Sequence, residues 1–374
     1  MNQIKQTTES RPFYVIRHNP NTIDLVEEAL NAGANGIEPD VNVYSDRPDE
    51  LCISHLTGDS DAPALEIYLT KLREITLRDQ RLCLVVFDCK SATATPAFGL
   101  QLLQAIRTYL TRETTLNIII SVSAMEHAII FDQIGNMLGP REGLMIDEHR
   151  DPVEIAAYFQ ERGIRNQCYG NGISIPPIAI TGPNVTPSME RACALRAATG
   201  IPTFICPWTV NEKKLGEEMI RTGVDGMICD DTDTLLRIIH RPEYRHFVRL
   251  AVRNDNPFMS SNAAYSLTVY TADSPMAGTD AEVTFTLKGS KGSAQTTLDT
   301  SFRARMERNH VNYLILQAPD LGDLISVSVQ RDDKGNAPDW WLDKIEVQSA
   351  HYKQQKTAVF NCEIKSVSPV SSFF

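Results

Sequence analysis

The sequence predicts a closed parallel (β/α)8 barrel of the TIM type followed by an all-β sandwich. Three observations carry that expectation. Short apolar runs alternate with amphipathic helical stretches through the first two thirds of the 374-residue chain, the order that builds parallel sheets closed by helices. Beyond residue 260 the pattern changes to apolar–polar alternation broken by turn signals, as in antiparallel sandwiches. An open doubly wound sheet is the alternative for the first part, but no GxGxxG follows a strand-like run.

The elements follow in order. Candidate strands are Phe13–Arg17, Gly36–Val43, Leu82–Asp88, Asn117–Ser121, Leu144–Ile146, Gly172–Ile175, Thr203–Cys206 and Gly226–Cys229. The helical stretches between them include Thr22–Ala32, Ala97–Tyr109, Pro152–Arg162, Pro187–Thr199 and Glu212–Thr222. Two of these run into glycine, at Gly33 and Gly223, a helix stop signal. The later strands are YSLTVYT, AEVTFTL, NYLILQA, LISVSVQ and DKIEVQ, with Ser260–Ala264 as the linker. The expected domains are therefore residues 1–259 and 260–374.

Composition bounds the function. Apolar residues make up 42% and charged residues 22%, which fits a chain that buries a full core. A net charge of -11 argues against broad binding to nucleic acid, so no nucleic-acid partner is expected. No apolar run is long enough to span a membrane as a helix. The start, MNQIKQTTESRPF, lacks the apolar core of a secretory signal. That leaves a cytosolic chain, one whose signal has been removed, or export by another route. The eight cysteines are scattered without a CxxC pair, so reduced, buried thiols are expected rather than a disulfide frame or a zinc site. A monomer is expected.

The chemistry concentrates between His18 and His55. Glu38 and Asp40 are two apart in a strand-like run, so both point to one side. Two adjacent carboxylates repel unless a cation or shared proton lies between them. With a histidine on each flank, the pattern reads as a hard-metal site served by two acid/base groups. A solvated acidic strand end with two unrelated histidines is the alternative. Further polar groups stand at other strand ends: Asp88 and Lys90 after LVVF, and Trp208 after TFIC. In a βα barrel all of these fall on one mouth.

Taken together, His18-Asn-Pro-Asn21, Gly33-Ala-Asn-Gly-Ile-Glu38-Pro-Asp40-Val, His55, LVVFDCK, Pro207-Trp208-Thr-Val and Thr222-Gly-Val-Asp-Gly-Met resemble the glycerophosphodiester phosphodiesterase superfamily, and within it the sphingomyelinase D–like phospholipases D. Arg249–Phe258 resembles the C-terminal plug of that branch. Ordinary glycerophosphodiesterases carry Arg-Gly after the first histidine and Asp after the second. Here Asn19-Pro20 and Leu56 stand there. Asn211 replaces the usual Asp after Trp-Thr-Val, and Phe258 replaces the closing Trp of the plug. The C-terminal part is similar to a PLAT (lipoxygenase-homology) domain through Tyr265-Ser-Leu-Thr-Val, Ala277-Gly-Thr-Asp280, Ala318-Pro-Asp-Leu-Gly322 and Asp339-Trp340-Trp341-Leu-Asp343.

The resemblance implies head-group cleavage from sphingomyelin or a lysophospholipid, with the substrate's own hydroxyl attacking phosphorus to give a cyclic phosphate. His18 then acts as base or as transient nucleophile, and His55 protonates the leaving alcohol. Glu38, Asp40 and Asp88 would hold the metal. Magnesium suits a few carboxylates plus phosphate and water. Lys90, Trp208 and Asn211 are the expected substrate-binding positions. The PLAT-like part would engage a lipid or membrane surface peripherally. Asp332 and Asp333 there could take part in a calcium site or form a solvated turn. Two other functions remain open at this point: hydrolysis of small soluble diesters, and non-catalytic lipid or partner binding.

Overall fold

The computed structural model describes residues 10–57, 61–172, 185–245, 248–259, 264–298, 306–318, 320–335, 339–350, 354–365 and 368–374. By contact the chain divides into two compact units, Glu9–Ala192 with Ile201–Ser260, and Ser261–Phe374 with Cys193–Gly200.

The first unit is built on eight parallel positions around a barrel. In order these are β1 (Arg11–His18), β2 (Gly36–Glu38) continued by β3 (Asp40–Val43), β5 (Leu84–Cys89), β6 (Asn117–Val122), β7 (Glu142–Asp147), β8 (Gln167–Gly172), β9 (Phe204–Trp208) and β10 (Gly226–Cys229). A short β4 (Leu51–Ile53) folds back antiparallel on β3. Between β9 and β10, Asp225 N–H donates to Ile205 O at 2.9 Å and Val210 N–H to Ile228 O at 2.8 Å, which brings the last strands together. Helices α1 (Ile23–Asn31), α2 (Leu65–Arg78), α3 (Pro96–Ala105), α4 (Pro152–Glu161), α5 (Val185–Thr199), α6 (Lys213–Thr222) and α7 (Thr232–Ile239) follow their strands. Thr22 and Thr95 cap α1 and α3 through their hydroxyls, as Asp151 and Asp231 do for α4 and α7 through their carboxylates. No described helix is long and apolar enough to cross a membrane.

Two differences from the sequence reading have physical causes. The run Gly36–Val43 is not one strand. Pro39 has no N–H to donate, and on one side the neighbour changes across it: pairing with β1 ends at Glu38 and β4 takes that side of β3, while pairing with β5 keeps its register from Gly36 through Asp40. The strand expected at Gly172–Ile175 lies earlier, at Gln167–Gly172, and 173–175 fall outside the described residues. Gln-Cys-Tyr-Gly-Asn-Gly is a poor strand by propensity, and pairing on both sides, with β7 and β9, overrides that.

The barrel floor is closed by the segment that follows α7. β11 (Val248–Leu250) pairs with the start of β1, and Ala251 N–H donates to Phe13 O at 2.9 Å. Arg249 grips Asp255 through two 2.7 Å bonds, and Asn117 Nδ2 donates to Asp255 O at 2.9 Å. Phe258 then enters the barrel core, where a Cβ on Gly143 would lie 2.4 Å from its ring.

The second unit is a sandwich of two four-stranded antiparallel sheets. With β12 (Ala264–Thr271), β13 (Val283–Gly289), β14 (Gly292–Leu298), β15 (Val311–Gln317), β16 (Leu324–Arg331), β17 (Trp340–Ser349), β18 (Gln354–Ile364) and β19 (Val370–Phe373), the orders are β15-β12-β17-β18 and β14-β13-β16-β19. Alternate residues such as Tyr265, Leu267, Val269, Phe285, Val327 and Ile345 fill the core. The neighbouring tryptophans part ways, as strand alternation requires. Trp340 is buried, stacks edge-to-face on Phe285 and donates to Thr271 at 3.1 Å, while Trp341 is 40% exposed. The linker Ser260–Ala264 lies outside the described residues up to Ala264, which begins β12.

Candidate active site

A single layer of the barrel core locates the site. Ile16, Val86, Ile119, Met145, Cys206 and Ile228 belong to the inner core. Because side chains alternate, the residue two further along each strand also points inward, one step closer to the C-terminal mouth. Those residues are His18, Asp88, Ser121, Asp147, Trp208 and Asp230. Glu38 and Asp40, at the break in the second barrel position, complete the ring.

The acids converge. One oxygen each of Glu38, Asp40 and Asp88 lies within 4.8 Å of the others. Glu38 and Asp40 are buried. The Lys90 ammonium bridges Asp40 and Asp88. Burial, with the neighbouring charges of Asp88 and Asp40, pushes the Glu38 carboxyl well above the usual carboxylate range. Burial likewise raises Asp88, against the opposing pull of Lys90. Its own burial would lower the Lys90 ammonium, but the two carboxylates raise it. Crowded, desolvated carboxylates of this kind are the hard oxygen donor set that a divalent cation satisfies.

The two imidazoles are tied to the same acids. His55 follows β4, and the β3–β4 hairpin returns it to Asp40, with Ser54 N–H donating to Asp40 O at 3.0 Å. His55 Nδ1 is then 3.3 Å from Asp40 Oδ2, and its side chain is 59% exposed. His18 is held from the other side, its Nδ1 donating to Asp230 Oδ1 at 2.8 Å. Asn19, in the left-handed region at φ 54°, joins the halves. With its amide turned to suit these neighbours, its side-chain nitrogen faces Asp40 Oδ2 at 2.7 Å, and its oxygen faces His18 Nε2 at 3.2 Å. Asn21 clasps Asp40 as well, donating to Oδ2 at 2.7 Å and accepting from the Asp40 N–H at 2.8 Å. The imidazoles are thus linked through Asn19 and Asp40.

All eight sequence-derived positions lie at this mouth, with different surroundings. Asn211 was expected to touch substrate, but its amide is engaged with Asp230, donating to Oδ2 at 2.7 Å and accepting from the Asp230 N–H at 2.8 Å. Partial burial works against ionisation of Asp230. The hydrogen bonds from His18 and Asn211 outweigh it and hold that carboxyl below its ordinary value. Trp208 donates its indole N–H to Asp147. Burial pushes Asp147 well above the usual range, and Asp88 adds to the rise.

Asp147, Asp230, Asn19 and Ser121 were absent from the sequence-derived set. The first two follow from extending each strand by one inward step past Met145 and Ile228. The expected strands stopped at Ile146 and Cys229, so both fell just outside. In the sandwich, Asp332 and Asp333 do not form a metal cluster among the described residues. Asp332 instead accepts from Glu282 N–H at 2.9 Å, and Asp333 pairs with buried Arg331 at 2.7 Å.

Comparison with known proteins agrees with this architecture. The family model for dermonecrotic toxin SPH matches residues 8–258, and that for the PLAT/LH2 domain matches residues 265–369. The chain is similar to dermonecrotic toxin LgSicTox-alphaIA1 of Loxosceles gaucho, 23% identical over 279 residues that cover 67% of this chain and 98% of the relative. It is also similar to dermonecrotic toxin SPH of Ixodes scapularis, 24% identical over 288 residues covering 68% and 78%. Lipoxygenase homology domain-containing protein 1 of Mus musculus is 36% identical over 89 residues, which are 23% of this chain and 4% of that one. With more than half of its length matched, this chain belongs to the dermonecrotic toxin SPH family of sphingomyelinase D–like phosphodiesterases and carries a PLAT/LH2 domain C-terminal to its barrel.

Proposed function

We propose that the barrel is a metal-dependent phospholipase D that releases the head group of sphingomyelin or a lysophospholipid and leaves a cyclic phosphate. The observation that supports this most is the meeting of Glu38, Asp40 and Asp88 within 4.8 Å, with an imidazole tied in on each side. The donor set fits magnesium: three carboxylate oxygens, with two of the acids raised chiefly by their withdrawal from water. Glu38, Asp40 and Asp88 would hold the ion, which when bound neutralises charge on the phosphate.

The chain's own residues do the rest. His18, fixed at Nδ1 by Asp230, takes the proton from the substrate hydroxyl as that oxygen bonds to phosphorus. The phosphorus–oxygen bond to the head group breaks, and His55 supplies the proton that the departing alkoxide needs. Lys90 sits between Asp40 and Asp88, where its charge faces a phosphate oxygen of the bound diester. Asn211 acts through Asp230 as a positioning residue. The PLAT domain would bring the barrel to lipid at a membrane surface.

The test uses the full chain with magnesium on vesicles of sphingomyelin or lysophosphatidylcholine. Released choline is measured, and the product is identified by phosphorus NMR. A cyclic phosphate, lost on His18→Ala and on His55→Ala, is expected. A linear monoester would instead mark a hydrolase of diesters, and vesicle binding without turnover would mark a lipid-binding protein.

A further inference from the structure

We propose that the outer face of the β14-β13-β16-β19 sheet is a docking site for a neutral oligosaccharide, an uncharged glycan chain bound through its hydroxyls and stacked on Phe373. The site belongs to the sandwich and goes beyond the phosphodiester chemistry of the barrel.

Residues paired directly across antiparallel strands point to the same side, so the register fixes which side chains share this face. One row runs Gln295, Thr286, Ser328, Ser371 across all four strands. The row on one side of it holds Thr297, Thr284 and Gln330. The row on the other side includes Lys288, Ser326 and Phe373. The alternate residues Phe285, Leu287, Val327 and Val329 fill the core, so all three rows face outward. With rows about 6.8 Å apart and strands about 4.8 Å apart, the face measures about 14 Å each way.

The chemistry of the face selects its ligand. Every side chain in the first two rows is a hydroxyl or a carboxamide, groups that both donate and accept. Thr284 bonds Thr297 at 2.9 Å and Ser328 bonds Ser371 at 2.8 Å, and each hydroxyl pair keeps one O–H to donate and lone pairs to accept. Acidic residues number 47 in the chain, yet no carboxylate stands at these positions, so the face does not suit a cation. Lys288 alone is too little charge for a polyanion or an anionic membrane. A protein partner would want an apolar centre, and Phe373 is the one large apolar side chain in the three rows. A polyol remains, since its hydroxyls also donate and accept. Phe373 is 73% exposed, and the face of its ring suits the C–H side of a sugar, its negative quadrupole meeting weakly positive hydrogens. Its register partner Ser326 is only 5% exposed, and the Ser326 hydroxyl has no bonding partner among the described residues. A sugar stacked on the ring would supply that partner. The other sheet differs: on its outer face Tyr270 donates to Glu346 at 2.9 Å and Lys344 pairs with Glu346 at 2.6 Å, so its polar groups are spent on one another.

Calorimetry on the full chain tests this with cellohexaose, maltohexaose and hexa-N-acetylchitohexaose as neutral probes and a heparin hexasaccharide as the anionic control. At least one neutral chain is expected to bind, and the heparin chain is not. Phe373→Ala is expected to weaken that binding by about tenfold, or about 1.4 kcal/mol. Phe373→Tyr keeps the ring and is expected to retain it. Thr286→Glu sets a carboxylate in the middle row and is expected to abolish binding, while Tyr270→Ala on the other sheet leaves it unchanged. Melting curves check that each variant folds. Should Thr286→Glu fail to fold, Thr286→Val removes the hydroxyl alone and is expected to weaken the same ligand. Failure of all three neutral chains to bind overturns the proposal, as does binding that survives Phe373→Ala undiminished. Equal or tighter binding of heparin would assign the face to charge recognition through Lys288 and overturn it too. Self-association in sedimentation, or partition onto phosphatidylcholine vesicles, lost in Phe373→Ala with no glycan bound, would give the face to a second copy or to a membrane instead.

Discussion

Asp230 holds His18 by a 2.8 Å bond to Nδ1 and is itself clasped by Asn211 at 2.7 Å. The imidazole is thereby fixed in rotation by a carboxylate that lies beyond the end of its strand, on the last turn of the barrel. The relation makes Asp230 a positioning residue for the proposed base and Asn211 a support one step further out.

Asp230→Ala is therefore expected to lower kcat by about a hundredfold, the scale of lost general-base catalysis, with little change in KM. Asn211→Ala should fall in the same direction by a smaller factor. Steady-state kinetics on one choline lipid checks both. An Asp230→Ala enzyme with unchanged kcat would show that Asp230 does not act through His18.

Metal removal should abolish turnover, and its return should stabilise the fold. Magnesium at a hundred times its dissociation constant is expected to add about 2.7 kcal/mol through mass action, seen as a rise in melting temperature. Asp88→Asn should lose most of that rise while its melting temperature without metal stays level or increases. The reason is that Asp88 is a half-buried carboxyl raised by desolvation, so neutralising it removes an electrostatic cost. An undiminished magnesium response in this variant would place the ion elsewhere.

The floor of the barrel carries a pH signature. Burial opposes ionisation of Asp255, but Arg249 and the Val252 N–H overcome it and hold the carboxyl below its ordinary value. A depressed folded-state value means that the stabilisation is present above the unfolded carboxylate range and is lost as pH falls through the folded value. Asp255→Asn should cost about 1–2 kcal/mol near neutrality, since Arg249 is partly exposed. The gap from wild type should close in acid. Urea denaturation of both proteins at neutral and acid pH measures it, and a gap that stays constant with pH would refute the assignment.

The paired tryptophans of the sandwich should separate stability from surface function. Trp340→Ala removes a buried ring and its bond to Thr271, and is expected to destabilise the sandwich by about 3–5 kcal/mol. Trp341→Ala should leave stability within about 1 kcal/mol and weaken partition onto phosphatidylcholine vesicles, because an exposed indole favours the membrane interface. Unchanged partition would remove Trp341 from any lipid contact.

Much of the site was legible because its residues sit on regular strands. Glu38 with Asp40, and Asp88 with Lys90, follow from period-two alternation, and His18 from its place at a strand end. Asp147 and Asp230 escaped by one residue each, since apolar runs end before the strands do. Asn19 escaped because its left-handed backbone and double contact have no local signature. The strand Gln167–Gly172 was misplaced because its glycines look like a turn, although they clear space for Asp147 and Trp208.

By itself the sequence determined the two fold classes, the matched barrel and sandwich, and the carboxylates and imidazoles gathered at the mouth. Those depend on alternation along single strands, a property local to the chain. Tertiary structure alone decided which acid braces which imidazole, that pairing with β1 stops before Pro39 while pairing with β5 runs past it, and that Asp147 stands beside Trp208. Such relations join residues up to 212 positions apart, as His18 and Asp230 are. Barrel closure and strand stagger set them, and no local pattern encodes either.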